Sequence, residues 1–177
     1  MSTLTLPRYR QAPRAKAADI GPVTRAAVMA AGSLLTFASV VAIFKMLTGL
    51  APDYAAYRNL AITIHVVTVL PAVPLGAYLL LATKGTRMHK TLGKVWIALM
   101  VITAVAITFV RGGTDFSWIH IFVPYTIWGA WKVVATARRH DIAAHRKEIV
   151  GLYLGALIIP GVWAFLPNRL MGLWLFG

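Results

Sequence analysis

The chain has no cysteine, and only 5 of its 177 residues are acidic, against 18 that are basic. Without a thiol it cannot form a disulfide, an iron–sulfur cluster or a thiolate-bound metal site. The scarcity of Asp and Glu leads us to expect no carboxylate inside a membrane span. That expectation argues against a carboxylate proton relay, a carboxylate metal site and a transporter with histidine-lined metal sites.

Apolar residues are abundant instead. Hydrophobic side chains make up 59% of the sequence, and the mean hydropathy is +0.71, far above that of a soluble domain. The net charge of +13 is compatible in size with nucleic-acid binding. We reject that interpretation because the basic residues lie between apolar runs, as in a membrane protein with charged loops.

Five apolar runs are long enough to cross a bilayer, which takes about 20 residues. The first is longer than the apolar core of a signal peptide, so we interpret it as an uncleaved span. We therefore predict a basic cytoplasmic tail over 1–24 and a five-helix transmembrane domain over 25–177. The C-terminal residues 170–177 are apolar but too short to span, and we expect them along the interface. The predicted spans cover residues 25–50, 59–83, 88–110, 117–137 and 147–166.

Basic residues are distributed unevenly between the connections. The tail and the 84–94 and 138–147 loops contain most of them, whereas the other two loops and the C-terminus carry only Arg58, Arg111 and Arg169. Cytoplasmic loops are enriched in Lys and Arg. We therefore expect a bacterial inner (plasma) membrane protein with a cytoplasmic N-terminus and a periplasmic C-terminus.

Two stretches of the chain follow one plan, which predicts an internal repeat. An even-numbered repeat preserves orientation, so spans 2–3 and 4–5 should be related by an axis along the membrane normal. The predicted fold is an all-α integral membrane protein: a four-helix bundle with two-fold repetition and a peripheral first helix. Residues matched at an offset of 53 are Pro71 and Pro124, Gly76 and Gly129, Ala77 and Ala130, Ala82 and Ala135, and Thr83 and Thr136.

Four of the five histidines lie at the ends of these stretches. The topology places His65 and His120 near the outer face, and His89 and His145 at the inner face. Neutral imidazole is a ligand for haem iron, zinc and copper, and facing bundle helices often hold cofactors. The alternative is that each histidine merely hydrogen-bonds a neighbouring helix. His140 adjoins other charged residues and is expected in a solvated loop.

Three runs of the sequence resemble an uncharacterised bacterial family of multi-pass membrane proteins, a domain of unknown function. The resemblance covers roughly residues 55–172 but supplies no activity. The runs are His89-Lys90-Thr91-Leu92-Gly93-Lys94-Val95, Phe116-Ser117-Trp118-Ile119-His120, and His145-Arg146 with Gly151-Leu152-Tyr153-Leu154-Gly155.

The histidine pattern is more distantly similar to cytochrome b561, a family of di-haem membrane reductases. In that family, histidines on the second and fourth helices of a similar set bind one haem, and those on the third and fifth bind the other. The resemblance implies that His65 and His120 hold an outer haem b, and that His89 and His145 hold an inner one.

Two functions follow as hypotheses. The first is transmembrane electron transfer by a b-type cytochrome-like oxidoreductase, with a quinol or a small anionic reductant donating at the basic inner face. The second is a non-catalytic subunit or assembly partner of a larger respiratory or photosynthetic complex, because the chain is short and lacks a soluble domain. Expected partners are the lipid bilayer, a quinone, and a larger complex or a second copy in a homo-dimer.

Overall fold

A computed structural model describes residues 20–52, 59–110 and 118–177, and all regular structure in these ranges is helical. Within these ranges, four continuous helical segments are long and apolar enough to cross a membrane: Pro22–Leu47, Leu60–Leu81, Arg87–Thr108 and Ile142–Ala164. The elements are α1 (Pro22–Leu47), α2 (Leu60–Leu81), α3 (Arg87–Thr108), a 3₁₀ turn (Trp118–Ile121), α4 (Phe122–Arg138), α5 (Ile142–Tyr153), a π turn (Leu154–Ile158), α6 (Ile159–Ala164) and α7 (Leu170–Phe176).

The boundaries of the first three helices agree with the predicted spans to within a few residues. Residues 1–19 of the predicted tail lie outside the described residues, and α1 already begins at Pro22. The predicted 138–147 loop is wrong in its length, because α5 begins at Ile142. The side chain of Asp141 accepts a hydrogen bond from the Ala144 amide at 3.0 Å, and this cap starts the helix early.

Polar caps fix the starts of the other long helices. The Asn59 side chain accepts from the Ala61 amide at 2.9 Å at the start of α2. At the start of α3, the Thr86 hydroxyl accepts from the amide of His89 at 3.1 Å. Each cap satisfies an amide that has no partner within the helix. His89 therefore lies in the capped first turn of α3, and His145 directly follows the first turn of α5 that Asp141 caps.

Helices α2 to α5 form a closed ring of neighbours. Helix α2 packs against α3, α3 against α4, α4 against α5, and α5 against α2. The centre contains Trp96 and Tyr153, which are 1% and 0% exposed. The Trp96 indole donates to the Ala72 carbonyl at 2.9 Å, tying α3 to α2. Helices α3 and α5, which carry His89 and His145, stand diagonally across this ring.

Two glycines that correspond in the predicted repeat allow close packing against α5. A Cβ on Gly76 in α2 would lie 2.6 Å from the Tyr153 ring, and one on Gly129 in α4 would lie 2.8 Å from Leu152. Tyr153 and Leu152 are consecutive in α5. The two matched glycines therefore receive neighbouring side chains of one helix from its two sides.

The last long segment changes helical type in its middle. It runs as α5, then as the π turn, then as α6 without interruption. Pro160 has no amide hydrogen to donate to the preceding turn, which is a recognised cause of distortion in helices. The π turn accordingly ends at Ile158, two residues before Pro160.

Helix α1 packs outside the ring and is joined to the C-terminus. The Lys45 ammonium donates to the carbonyls of Leu175 at 2.9 Å and Gly177 at 3.1 Å. Trp174 is only 2% exposed and packs near Ala42 of α1. The C-terminal residues therefore do more than rest at the interface: they form a helix with one face buried against α1.

Candidate functional site

The structure places His89 and His145 at the same end of the bundle. This inner end is where α3 and α5 begin, and the opposite, outer end is where α2 begins and α3 ends. The two imidazoles are close enough to interact electrostatically, and Lys84 acts on both rings. Both histidines are half-buried. Two rings on diagonal helices thus share a partly desolvated, cationic end of the bundle.

The tautomer of His145 is set by a backbone carbonyl. Its Nδ1 lies 3.0 Å from the carbonyl oxygen of Val133 in α4, and 3.4 Å from the Thr136 hydroxyl. A carbonyl oxygen only accepts, so Nδ1 carries the hydrogen and the neutral ring keeps its lone pair on Nε2. Metal-ligating histidines are commonly held in this way by their second nitrogen.

His89, in contrast to His145, has an Nδ1 that no carbonyl orients. Its Nδ1 atom is buried and has no hydrogen-bond partner in the described structure. A buried imidazole nitrogen without a partner is costly. Tyr153 and Trp174 likewise have a buried polar atom without a partner in the described structure.

At the outer end, His65 is joined to α3 by three contacts with one residue. Its Nδ1 lies 3.1 Å from the Thr103 carbonyl and 3.0 Å from the Thr103 hydroxyl, which itself donates to the His65 carbonyl at 3.2 Å. By the same argument, Nδ1 is the donor and Nε2 keeps the lone pair. The ring orientation is therefore fixed by α3.

His120 has a different described partner from His65. Its Nε2 lies 3.1 Å from the carbonyl oxygen of Val110, just beyond the end of α3. Thr103 and Val110 are separated by about 10 Å along a helical path at 1.5 Å per residue. The described contacts thus attach His65 to α3 itself and His120 to the chain just beyond its end.

A cavity of about 310 Å³ lies beside His65 at the outer end. Its walls come from α1 to α4, the π turn, α6 and α7. Ser39, His65, Thr103, Thr126 and Arg169 are the polar residues among an otherwise apolar lining that includes Phe122, Trp163 and Phe165. Ligand pockets have this composition: apolar walls with a few converging polar groups.

One expectation about acidic residues is wrong. Glu148 lies inside the Ile142–Ala164 segment and forms an ion pair of 3.1 Å with Lys132 of α4. The Lys132 side chain is 39% exposed and the Glu148 side chain 23%. A paired carboxylate therefore joins α4 to α5 close to the inner histidines, although none was expected within a span.

His140 is exposed in the turn between α4 and α5, as predicted. Its φ of 57° places the backbone in the left-handed region, which non-glycine residues adopt mainly in turns. In the described residues, no group of three or more His, Asp or Glu side chains comes together. A zinc site of the usual kind needs three or four such ligands.

Comparison with known protein families, characterised proteins and solved structures finds no match for this chain.

Several residues of these sites could not be identified as partners from the sequence. Thr103 lies 38 residues from His65 and resembles any threonine on an apolar helix. Lys132 and Lys45 were detectable, because each is a lone cation inside an apolar run. An unpaired ammonium in a span is costly, which predicts a partner without identifying it.

Proposed function

We propose that this chain is an integral membrane electron-transfer protein that holds haem b between His89 and His145. The observation that carries the proposal is that these two imidazoles, on diagonal helices, lie at one end of the bundle within electrostatic reach of each other. His145, through the lone pair on Nε2, and His89, through its unpartnered Nδ1, would be the residues that hold the haem iron. When bound, the haem would supply one-electron redox chemistry.

The protein's own contribution is positional and electrostatic. Val133 orients the His145 ring, and the Thr86 cap fixes the turn that carries His89. Lys84 adds positive charge beside both rings. A nearby cation stabilises added negative charge, so this site favours the reduced state of a redox group and the approach of an anionic reductant.

The outer pair fits a haem less well. The described contacts of His65 and His120 lead to separate carbonyls. We therefore assign one haem to the inner pair and keep the resemblance to cytochrome b561 at the level of diagonal histidine pairs in a repeated bundle.

The proposal includes five spans, with α4 and the preceding 3₁₀ turn as the fourth. Helix α4 has 17 residues, about 25 Å at 1.5 Å per residue. Residues Trp118–Ile121 add about 8 Å at 2.0 Å per residue. The total matches a hydrocarbon thickness of about 30 Å. An N-terminus in the cytoplasm of a bacterium then follows from the basic residues near the inner end.

The test is a reduced-minus-oxidised absorption spectrum of protein purified after expression with excess haem precursor. Wild type should show a Soret band and reducible α bands. His89→Ala and His145→Ala should each abolish them, because a bis-imidazole site retains haem poorly without one axial ligand. His140→Asn is the matched control, since asparagine tolerates the left-handed backbone at that position.

Two results would contradict this assignment. Protein that stays colourless with excess haem would remove the haem altogether. Haem that persists in His89→Ala and His145→Ala, but is lost in His65→Ala and His120→Ala, would move it to the outer pair.

A second candidate function is a packing subunit of a larger complex or a homo-dimer. The observation that favours it is an exposed aromatic pair on α4. Trp128 and Trp131 are 58% and 56% exposed, and their rings stack at 5.0 Å. Tryptophans are enriched at protein interfaces. A stable complex or dimer that dissociates in Trp128→Leu/Trp131→Leu protein, measured by native mass spectrometry, would support it.

A further inference from the structure

We propose that the outer cavity binds the head group of a lipid-soluble quinol, with His65 accepting a hydrogen bond from one of its hydroxyl groups. This inference does not rest on haem at the inner site. The binding experiment below uses no haem signal, so the two proposals fail independently.

The polar side chains of the cavity differ in whether their hydrogen bonds are already made within the protein. The hydroxyls of Ser39 and Thr126 donate to carbonyls of their own helices, at 2.7 Å to Leu35 and 2.6 Å to Phe122. Thr103 donates to His65. Beyond these satisfied hydroxyls, the polar side-chain groups of the lining are the His65 ring, the Trp163 indole and the Arg169 guanidinium, and of these only His65 has an acceptor.

His65 has one ring nitrogen that it can offer to a ligand. Its Nδ1–H is used by the Thr103 carbonyl, so the neutral ring offers Nε2 as an acceptor. An acceptor in an apolar lining requires a ligand that brings a donor. A hydroxyl group satisfies this requirement, whereas an ionised carboxylate or a quinone carbonyl does not.

The volume and the walls of the cavity restrict the body of the ligand. A volume of about 310 Å³ is at the lower end of the range for small-molecule sites, about 300–1,000 Å³. Phe122, Trp163 and Phe165 supply aromatic surface, which favours a flat ring. Apolar helices around the cavity make a lipid-soluble ligand the accessible class.

Arg169 adds a hydrogen-bond donor at the end of the cavity next to α7. It is exposed and carries five N–H donors with no acceptor. A quinol has a second oxygen, which accepts such a bond. One ligand with an O–H donor at one side and an oxygen acceptor at the other therefore matches both polar groups.

The test is isothermal titration of the purified protein, under anaerobic conditions, with two probes. The first probe is a decyl-tailed benzoquinol, and the second is its dimethyl ether, which has the same body but no hydroxyl. Wild type should bind the quinol about tenfold more tightly, the ratio expected for one hydrogen bond that buries an acceptor. His65→Ala should bring the ratio to one, and His140→Asn should leave it unchanged.

A second variant guards against loss of folding at His65. Ala164→Leu adds volume to the lining and should weaken both probes by similar factors while leaving the His65 acceptor in place. Equal binding of quinol and ether by wild type, or an unchanged ratio in His65→Ala, would overturn the proposal. Displacement of both probes by oleate, with no preference for the quinol, would identify a lipid acyl-chain site instead.

Discussion

Imidazole tautomers differ in how firmly the surrounding residues define them. His65 and His145 each direct Nδ1 at a backbone carbonyl of another helix, and so each keeps the Nε2 lone pair. His89 leaves a buried Nδ1 without a partner. Three identical residues thus differ in the ring nitrogen that they offer to a ligand, because a carbonyl of another helix faces Nδ1 in His65 and His145 but not in His89.

The hydroxyl of Thr103 can be tested separately from its carbonyl. Thr103→Val should keep the Nδ1 contact to the backbone while losing the hydroxyl's bonds to His65. We expect a loss of about 0.6 kcal/mol, the average for interhelical side-chain bonds in membranes. Denaturation in mixed micelles measures it. Thr68→Val is the control, because the Thr68 hydroxyl bonds only to its own helix; equal losses in both variants would contradict the interhelical role.

Gly76 offers a sharper residue-scale test. A Cβ there would meet Trp96 Nε1 at 2.7 Å and the Tyr153 ring at 2.6 Å. Gly76→Ala should therefore lower stability by about 1–3 kcal/mol, as overpacking does. Gly93→Ala, where nothing lies within 4 Å, should be neutral or stabilising by up to about 1 kcal/mol. Thermal unfolding compares the pair, and a Gly76→Ala protein as stable as the Gly93→Ala protein would refute the close packing.

Elements show how far the sequence determines this fold. Apolar length predicted α1, α2 and α3, because burial in lipid dominates their energy. The predicted fifth span begins at residue 147, later than α5, because in the sequence alone a capping Asp141 looks the same as a charge in a loop. The site was less predictable. Whether His65 contacts Thr103 depends on how α2 and α3 are rotated about their axes. Their apolar runs have no periodicity strong enough to determine that rotation.

Helix α7 gives an element-scale prediction. A helix of 7 residues is too short to be stable alone, so it depends on packing and on Lys45. Lys45→Met should release the last carbonyls and raise hydrogen exchange across residues 170–177. Lys94→Met is the control, since Lys94 is exposed on α3. Unchanged exchange in the Lys45 variant would show that packing alone holds α7.

At the scale of the whole molecule, the absence of cysteine makes topology easy to measure. Single cysteines can be placed at Met88 and Ile142, which are 59% and 60% exposed at the inner end, and at Leu50, which is 65% exposed at the outer end. With five spans, a membrane-impermeant maleimide should label Leu50→Cys from the periplasm, and the other two only after the cells are opened. Labelling of Ile142→Cys in intact cells would mean that α4 does not cross.

Helix α1 also exceeds its neighbours in length. Its 26 residues extend about 39 Å, against about 33 Å for the 22 residues of α2 and α3. In a bilayer with a hydrocarbon layer about 30 Å thick, such hydrophobic mismatch is relieved by tilt. Because Lys45 holds α7, and α7 supplies Leu170 and Met171 to the cavity wall, a thinner or thicker bilayer would act on the cavity through the inclination of α1.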